Sequence, residues 1–335
     1  MDVGFIISFF IILLCYVFCF GNGFNDAANI IALPIATRVI SPSLALAVAC
    51  VFEFVGCYFL GDLVFKTIVK DVIELNFLKV SNISYVLFSA LFAACGWVLV
   101  CTIFGFPISS SHTLIGSMIG SVLGINFYAV KWESVLRVIL VLIFAPFVGF
   151  VVAYLFTKII YIMFSNAYKE INKIFKFLNV VSICFFALSH GANNGKKGVG
   201  LLMFCLIALN FYEIEFNIPK WALLSCACII SCGILLGGKK VIKTIGTRIY
   251  KIKHWQAAVS QLTAAGLTYL GTLFGFPLST THLIVGAITG SGSAERIKSV
   301  KWDVSLDIFI IWVLTLPFNI FLSFFIFKFL TSIKL

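Results

Sequence analysis

Long apolar runs restrict this chain to very few folds. Val3 to Phe20 is almost uninterrupted hydrocarbon, and similar runs recur to the end of the sequence. Of the 335 residues, 61% are apolar and 11% are charged, and the mean hydropathy is +1.12. A soluble domain of this size could not bury so much apolar surface. At about 20 residues per crossing, the runs predict an all-α polytopic membrane protein with about ten spans.

A polar patch that contains two glycines interrupts the first apolar run. It reads Gly21-Asn-Gly-Phe-Asn-Asp-Ala-Ala-Asn29, with apolar sequence on both sides. An aspartate at the centre of a membrane helix costs about 2.5–3.5 kcal/mol on insertion scales, and glycine loosens a helix. Interrupted backbone persists at that depth only where it is buried in protein or lines a wet cavity. The patch predicts a broken helix of the kind found in transporters; a loop between two short buried helices is the alternative.

The two halves of the sequence resemble each other. Gly23-Phe-Asn-Asp matches Gly191-Ala-Asn-Asn 168 positions later. Phe104-Gly-Phe-Pro matches Phe274-Gly-Phe-Pro 170 positions later, and the dipeptide Lys131-Trp132 recurs at the same offset of 170. Several landmarks in one order at nearly one offset indicate an internal duplication.

The distribution of charge predicts that the two repeats have opposite orientations. The connector 239–253 carries six Lys or Arg residues and no acid, which is typical of a cytoplasmic loop, whereas its counterpart 66–83 mixes lysines with acids. We predict a first inverted repeat at 1–163, a central cytoplasmic connector at 164–176 and a second inverted repeat at 177–335. Inverted repeats bring their broken helices together near the middle of the membrane. The net charge of +11 does not imply a nucleic-acid partner, because its placement follows the membrane.

A second polar patch occupies the corresponding place in the second half. It reads Ser189-His-Gly-Ala-Asn-Asn-Gly-Lys-Lys-Gly-Val-Gly200, and its Asn194 corresponds to Asp26. Amide oxygens beside one carboxylate suit a small hard cation such as Na⁺, or an aspartate that carries a proton. Lys196 and Lys197 either balance a bound anion or extend to the interface, since two unpaired ammonium groups would be costly inside a membrane.

A pair of serine- and threonine-rich motifs completes the duplication. They read Gly105-Phe-Pro-Ile-Ser-Ser-Ser-His-Thr113 and Gly275-Phe-Pro-Leu-Ser-Thr-Thr-His-Leu283. The proline ends one segment or starts the next, so each triplet lies at a helix N-terminus. Hydroxyl groups, free backbone N–H groups and the positive end of the helix dipole form an anion site there. Two facing termini could hold a tetrahedral oxyanion; simple helix capping is the alternative.

Several isolated polar residues have two interpretations each. Glu53 is an acid inside the second span, where it either carries a proton or cation or makes a buried hydrogen bond. His112 and His282 follow the triplets, and we interpret them as packing residues because no second metal ligand lies at helical spacing. A hydrolase that uses a Ser-His pair is disfavoured, since no orienting acid accompanies it. The eleven cysteines are scattered and are interpreted as small core residues.

Together these motifs resemble the inorganic phosphate transporter (PiT) family, bacterial type. The family's Gly-x-Asn-Asp followed by Ala-Asn is similar to Gly23–Asn29. Its Gly-(Ile/Leu/Phe)-Pro-(Ile/Val/Leu)-Ser-(Ser/Thr)-(Ser/Thr)-His is matched at 105–112 and 275–282. The bacterial His-Gly-x-Asn-Asp-Gly-Gln-Lys is similar to His190–Lys197. The resemblance covers nearly the whole chain in order.

This resemblance implies uptake of inorganic phosphate with Na⁺ or H⁺ by a carrier with no other cofactor. The carrier would be a multi-pass, lipid-embedded homodimer in a bacterial inner membrane, and not an enzyme. The phosphate-binding residues would be Ser109, Ser110, Ser111, Ser279, Thr280, Thr281, Asn193 and Lys197. The cation-binding residues would be Asn25, Asp26, Asn29 and Asn194, to which we add Glu53 as a possible coupling acid.

Two residues depart from the family pattern. Asn194 stands where an aspartate is usual, and Lys196 stands where bacterial members have glutamine. Both changes make the site more positive, so a second cation site there would be weakened or lost. We therefore expect an altered coupling stoichiometry in which Asp26 carries most of the coupling, and a stronger cation dependence in an Asn194→Asp variant.

Our sequence-based interpretation is a secondary transporter that moves phosphate with a cation by alternating access. A carrier for another tetrahedral oxyanion such as sulfate is the first alternative, because the same donors fit both geometries. Only phosphate can also donate a proton, so a buried carboxylate such as Asp26 favours phosphate. An anion channel is the second alternative, and it would pass current without coupling to a cation.

Overall fold

The chain folds into a bundle of α-helices. A computed structural model describes residues 3–61, 80–164, 170–212, 218–276 and 278–333, and no strand occurs within these ranges. The first half contains α1 (Val3–Ala36), α2 (Pro42–Phe59), α3 (Val80–Phe104), α4 (Ser110–Leu123) and α5 (Trp132–Phe164). The second half contains α6 (Glu170–His190), α7 (Lys196–Ala208), α8 (Lys220–Leu236), α9 (Lys239–Lys243), α10 (His254–Leu273), α11 (Thr280–Arg296) and α12 (Trp302–Ile333).

The count of membrane-spanning helices is lower than the sequence predicts. Among the described residues, six helices are long and apolar enough to cross a membrane, or seven if α8 and α9, which bend by 61°, form one span. The prediction of about ten spans is therefore not confirmed. One reason is that the apolar stretch 108–130 contains a single α-helix, the 14-residue α4, which is about 21 Å long against a hydrocarbon core of about 30 Å.

The helices are interrupted at other places than the polar patches suggest. The predicted break at Gly21–Asn29 is wrong, because α1 is one continuous helix from Val3 to Ala36. In the second patch, a π-helical turn at Gly191–Gly195 joins α6 to α7 without a break. The true interruptions are the turns between α3 and α4 and between α10 and α11. Gly105 and Gly275 start these turns with φ values of 80° and 72°, which glycine adopts without strain.

Corresponding helices of the two halves run antiparallel where they meet. Asp26 of α1 contacts His190 at the end of α6, and Thr37 at the end of α1 contacts Asn179 near the start of α6. Farther along, the sulfur atom of Cys15 lies 3.4 Å from that of Cys205 in α7. Opposite directions are what an inverted repeat requires. The orientation of each half relative to a membrane remains a prediction.

Glycines allow the short helices of each half to pack tightly against the last helix of the other half. A Cβ atom added at Gly120 in α4 would lie 2.0 Å from the carbonyl oxygen of Ile320 in α12. The same atom at Gly290 in α11 would lie 2.2 Å from the carbonyl oxygen of Phe150 in α5. Both residue pairs keep the offset of 170, and glycines at these contacts let helix backbones approach closely. The halves are thus interlocked by reciprocal contacts.

A second set of reciprocal contacts identifies the counterpart of Glu53 in the second half. Gly191 faces the carbonyl oxygen of Glu53 in α2, where a Cβ atom would be 2.3 Å away. Its equivalent, Gly23, faces the carbonyl oxygen of Ile230 in α8, at 2.2 Å. A uniform offset of 170 would place Leu223 opposite Glu53, but the packing places Ile230 there. Either way the counterpart is apolar, so the acid is not duplicated.

Buried apolar residues form two clusters, and the polar patches lie between them. Ile11 and Cys15 of α1 belong to one cluster, and Ile30 and Leu33 belong to the other. The polar stretch Asn22–Asn29 separates these two parts of α1. The centre of the molecule is therefore a polar layer enclosed by hydrocarbon on both sides.

The structure also bears on the predicted connectors. The basic connector 239–253 is partly helical, and Lys240 in α9 donates a hydrogen bond to the carbonyl oxygen of Ile103. The predicted central connector 164–176 overlaps α6, which begins at Glu170, and residues 165–169 lie outside the described residues. Most of 66–83 also lies outside them. The division into two repeats joined by a cytoplasmic connector remains a prediction.

The reciprocal glycine contacts yield a test of stability. We expect Gly290→Ala to destabilise the protein by about 1–3 kcal/mol, because a methyl group there overlaps the backbone of Phe150. Thermal unfolding in detergent, followed by the loss of monodisperse protein, measures this effect. Gly266→Ala in α10 is the matched control, because no atom lies within 4 Å of its added Cβ. An equal loss of stability in both variants would contradict the packing described above.

Candidate functional site

The two serine- and threonine-rich turns meet in the polar layer. The hydroxyl of Thr281 donates to the carbonyl oxygen of Ile108 at 2.8 Å, which joins the second turn to the first. The rings of His112 and His282 have centroids 4.9 Å apart. The indole N–H of Trp312 donates to the carbonyl oxygen of Pro107 at 2.9 Å. Two turns that are 170 residues apart in the sequence therefore form one buried site.

Asn25 and Asn193 hold these turns against the long helices. The side-chain amide of Asn25 donates to Thr102 at 2.8 Å and to the carbonyl oxygen of Phe106 at 3.2 Å. Asn193 makes the equivalent bonds to Thr272 at 3.0 Å and to the carbonyl oxygen of Phe276 at 3.1 Å. Because these bonds go to the starts of the turns, the two asparagines position the site. Neither makes a direct hydrogen bond to Asp26.

Asp26 is the carboxylate of the site, and it is surrounded by donors. Its Oδ1 accepts from the side-chain amide of Asn29 at 2.8 Å and from the hydroxyl of Thr281 at 3.1 Å. Its Oδ2 accepts from the side-chain amide of Asn194 at 2.9 Å and lies 3.2 Å from Nε2 of His190. Asp26 is only 2% exposed. Such bonds lower the large cost of a buried carboxylate.

Lys197 faces Asp26 from the other half of the molecule. Its ammonium group donates to Ser111 Oγ at 2.9 Å, to Asn194 Oδ1 at 2.7 Å and to the carbonyl oxygen of Leu278 at 2.7 Å. It is 4% exposed. Asn194 thus links the carboxylate of one half to the ammonium of the other. The adjacent Lys196 is buried as well, so it does not extend to an interface.

His190 connects Asp26 to Glu53. The two carboxylate oxygens of Glu53 lie 2.8 Å and 2.9 Å from Nδ1 of His190. All three side chains are buried, and Glu53 and His190 have no exposed surface. On its other side, Nε2 of His190 lies 2.8 Å from the amide nitrogen of Asn194 and 3.2 Å from Oδ2 of Asp26, so the ring lies between the two acids. Glu53 therefore belongs to the site through His190 rather than through direct contact with the turns.

The serine and threonine triplets combine capping with contacts to the polar patches. Ser109 caps α4 by accepting from the backbone N–H of His112, and Ser279 caps α11 by accepting from that of His282. The capping interpretation is therefore correct for the first member of each triplet. In the second triplet, Thr280 accepts from Asn194 at 3.2 Å and from Asn29 at 3.4 Å. Ser110 lies in the first turn of α4 and is 8% exposed.

The structure brings together most of the residues that the sequence singled out. A cluster in direct contact contains Asp26, Asn29, Ser111, Asn194, Lys197, Thr280 and Thr281. The caps Ser109 and Ser279 lie at its edge, and Asn25, Asn193 and Glu53 support it from behind. All of these side chains are at least nine-tenths buried, so the site lies inside the helix bundle.

Some buried oxygen atoms at the site have no hydrogen-bond donor. They include Oδ1 of Asn29 and Oδ1 of Asn193. A buried carbonyl oxygen without a donor is costly, and oxygen atoms of this kind are the ligands of small hard cations. Of the two, the oxygen of Asn29 belongs to a side chain that contacts the carboxylate of Asp26, and it is the neutral oxygen best placed to share a cation with that carboxylate.

Sequence analysis missed the role of His190 and of two threonines. His190 belongs to the second patch, but its contacts with Glu53 and Asp26 join residues 137 and 164 positions apart. Thr102 and Thr272 accept the bonds that hold Asn25 and Asn193. The one signal for these threonines was their matched position in the two halves, two residues before each Phe-Gly-Phe-Pro motif.

The histidines that follow the triplets pack against neighbours. The ring of His282 lies against that of Trp312, with centroids 3.9 Å apart, and no donor or acceptor is found for Nδ1 of His112. All eleven cysteines are free thiols, but Cys228 and Cys232 are exposed, so the interpretation as core residues is wrong for these two. Within the described ranges, no group of three His, Cys, Asp or Glu side chains has the arrangement of a metal site.

Comparison with known proteins identifies the family of this chain. A model of the phosphate transporter family matches residues 22–169 and 163–323. The chain is 34% identical to a "Probable low-affinity inorganic phosphate transporter" of Bacillus subtilis over 95% of this chain and 96% of that protein. A protein of the same name from Rhizobium meliloti is also 34% identical, over 90% of this chain and 89% of that protein.

A solved structure is also similar to this chain. Named "The sodium-dependent phosphate transporter", it aligns with a TM-score of 0.88 and 25% identity, and covers 98% of this chain and 99% of that one. The relatives are named as transporters, so the hydrolase alternative is not supported and the chain is not an enzyme. The chain is an integral membrane protein, and it belongs to the phosphate transporter family.

Proposed function

We propose that this protein imports inorganic phosphate together with a cation, as a secondary transporter that works by alternating access. The observation that carries the proposal is the contact between the two serine- and threonine-rich turns beside Asp26 and Lys197. This contact gives one buried place where an anion and a cation can lie next to each other. The phosphate specificity is supported by the family and by the names of the relatives.

Phosphate would lie between the two helix N-termini. The starts of α4 and α11 point their free N–H groups and hydroxyls toward the polar layer, and Lys197 adds a full positive charge. N–H groups at helix starts bind anions well, and hydroxyl groups can both donate to and accept from a protonated phosphate. Ser109, Ser110, Ser111, Ser279, Thr280, Thr281, Asn193 and Lys197 form the proposed phosphate site.

The coupling cation would lie at Asp26. Its carboxylate supplies the charge, and Asn29, with its unpartnered Oδ1, supplies a neutral oxygen. Asn25 and Asn194 complete the proposed cation set by positioning the turn and the carboxylate. Na⁺ is favoured because a solved relative is named as sodium-dependent; H⁺ is the alternative, with Asp26 or Glu53 as its carrier.

Alternating access is supported by the reciprocal packing of two antiparallel halves. If the halves are inverted repeats, exchanging their conformations opens the same site first to one side and then to the other. The buried site described above would then open to each side in turn. The homodimer and the bacterial inner membrane remain predictions from the resemblance.

Asp26→Asn tests the coupling role of the carboxylate. We expect this variant to lose concentrative phosphate uptake in proteoliposomes, because the cation then has no charged ligand. Asp303→Asn is the control, since Asp303 is an exposed acid at the start of α12. Size-exclusion chromatography of both variants tests folding. Full accumulation by Asp26→Asn would remove Asp26 from the mechanism.

Glu53→Gln tests the link through His190. We expect uptake to fall at least about tenfold, since the loss of one charged hydrogen bond of about 1.5–3 kcal/mol is of that order, and we expect the pH profile of uptake to shift. Glu133→Gln is the control, because Glu133 forms an exposed ion pair with Arg137. A Glu53→Gln variant with unchanged rate and pH profile would make Glu53 a purely structural residue.

Sulfate competition and measurements of phosphate current test the two alternatives, a general oxyanion carrier and an anion channel. We expect a large excess of sulfate to leave phosphate uptake nearly unchanged, because sulfate has no proton to donate to a buried carboxylate at neutral pH. Imposed Na⁺ and pH gradients, applied one at a time, identify the coupling ion. Strong inhibition by sulfate would favour the general oxyanion carrier. Phosphate current without accumulation against a gradient would favour the channel.

A further inference from the structure

The residues around Asp26 have counterparts in the other half of the chain. Asn194 and Lys197 follow Asp26 and Asn29 by 168 positions, and Thr281 and Leu278 follow Ser111 and Ile108 by 170 positions. Around Asp26, three oxygens are linked in a hydrogen-bonded chain: Oδ1 of Asp26, the hydroxyl of Thr281, 3.1 Å away, and the carbonyl of Ile108, 2.8 Å from that hydroxyl. We call these three atoms the first cage.

The equivalent oxygens, with the two halves exchanged, surround Lys197. They are Oδ1 of Asn194, the hydroxyl of Ser111 and the carbonyl oxygen of Leu278, at 2.7 Å, 2.9 Å and 2.7 Å from the ammonium nitrogen. We call them the second cage. All three are neutral, and each is equivalent to one atom of the first cage. The chemical difference is that an ammonium group fills the second cage, whereas Asn29 places an amide at the first.

From this equivalence we infer that the ammonium group of Lys197 is a built-in substitute for a second transported cation. An ammonium group carries the same charge as Na⁺ and binds the same kinds of oxygen. It is tethered to α7, however, so it stays with the protein during transport. The inference rests on the proposed function and concerns its stoichiometry: the second cage would hold no carried cation.

The charges of the two cages support this assignment. The buried carboxylate of Asp26 and the buried ammonium of Lys197 cancel each other. One monovalent phosphate and one carried cation then enter the site without adding net charge, which avoids the cost of an uncompensated buried ion. With Asn194 kept and no lysine at 197, two carried cations would be needed for the same balance, so the ammonium takes the place of one of them.

This assignment changes the expectation for Asn194→Asp. The new carboxylate would lie against the ammonium of Lys197 and form an ion pair, since the two atoms are already 2.7 Å apart. The ammonium would still fill the second cage, so we no longer expect this single substitution to strengthen the cation dependence of transport. The double variant Asn194→Asp with Lys197→Asn gives the second half the residues of the first, Asp and Asn, and removes the tethered ammonium from that cage.

The experiment measures how many cations the protein binds and carries. Purified wild-type and variant proteins receive NaCl, with choline chloride keeping the ionic strength constant and phosphate present throughout. Phosphate uptake into proteoliposomes gives the Na⁺ order of transport. The shift of the thermal midpoint with the logarithm of the Na⁺ concentration gives the number of bound Na⁺ ions without requiring transport.

We expect the order in Na⁺ to rise from about one in the wild type to about two in the double variant, with a doubled slope of thermal stabilisation. Asn194→Asp alone keeps an order of about one. Lys197→Asn alone loses uptake at low Na⁺ and regains part of it at high Na⁺, because the neutral cage binds a cation weakly. Lys196→Gln is the matched control: it removes the same charge one residue away, and the Na⁺ order stays at about one.

The outcomes separate this inference from the proposed function. If the wild type accumulates phosphate but the double variant has the same Na⁺ order of transport and the same slope of thermal stabilisation as the wild type, the substitute role of Lys197 is wrong. If the wild type accumulates no phosphate while the slope still doubles in the double variant, the proposed function fails and the cation equivalence stands. If the double variant does not fold, Lys197→Asn decides, since uptake independent of added Na⁺ would overturn the inference.

Discussion

The requirement that buried polar groups find partners without water governs the centre of this protein. Asp26 illustrates it: four side chains from α1, α6, α11 and the turn between α6 and α7 converge on one carboxylate. In a membrane, no solvent can replace a missing donor. Each of these helices must therefore lie where its polar side chain completes the network, and the apolar clusters on both sides fill the remaining space.

The polar layer depends on close backbone contact, which glycine provides. Gly23 and Gly191 let α8 and α2 approach the polar patches, and Gly120 and Gly290 let the last helix of each half approach the short helices of the other. A side chain at any of these positions would move a helix by an ångström or more. Such a shift exceeds the tolerance of the hydrogen bonds in the site, so tight packing and the site geometry are parts of one constraint.

The frame is symmetric and the chemistry within it is not. Asn25 and Asn193 hold their turns in the same way, and Ser109 and Ser279 cap their helices in the same way. Within this repeated frame, the counterpart of Asp26 is Asn194, and the counterpart of Asn29 is Lys197. The counterpart of Glu53 is the apolar Ile230. The acids of the site therefore come from the first half and the lysines from the second. This separation of charge gives the pocket one end suited to a cation and another suited to an anion.

Part of this arrangement follows from the sequence alone. The apolar composition requires membrane helices, because no other fold hides so much hydrocarbon. The repeated motifs identify Asp26, Lys197 and the two triplets as the polar residues of the interior, since residues that are costly in a membrane persist there in matched pairs. These inferences depend on local chemistry and on matching positions, both of which can be read from one chain.

The tertiary structure decided the rest. A glycine in a polar patch can either break a helix or allow a neighbouring helix backbone to pack closely against it. Only the position of Ile230 shows that Gly23 allows close packing. Likewise, a buried acid such as Glu53 can have many partners, and only the approach of α2 to α6 selects His190. The number of spans also depends on where the turns lie in depth, which hydropathy does not record. In each case the deciding contact joins residues far apart in the chain, and a local sequence pattern carries no information about such distances.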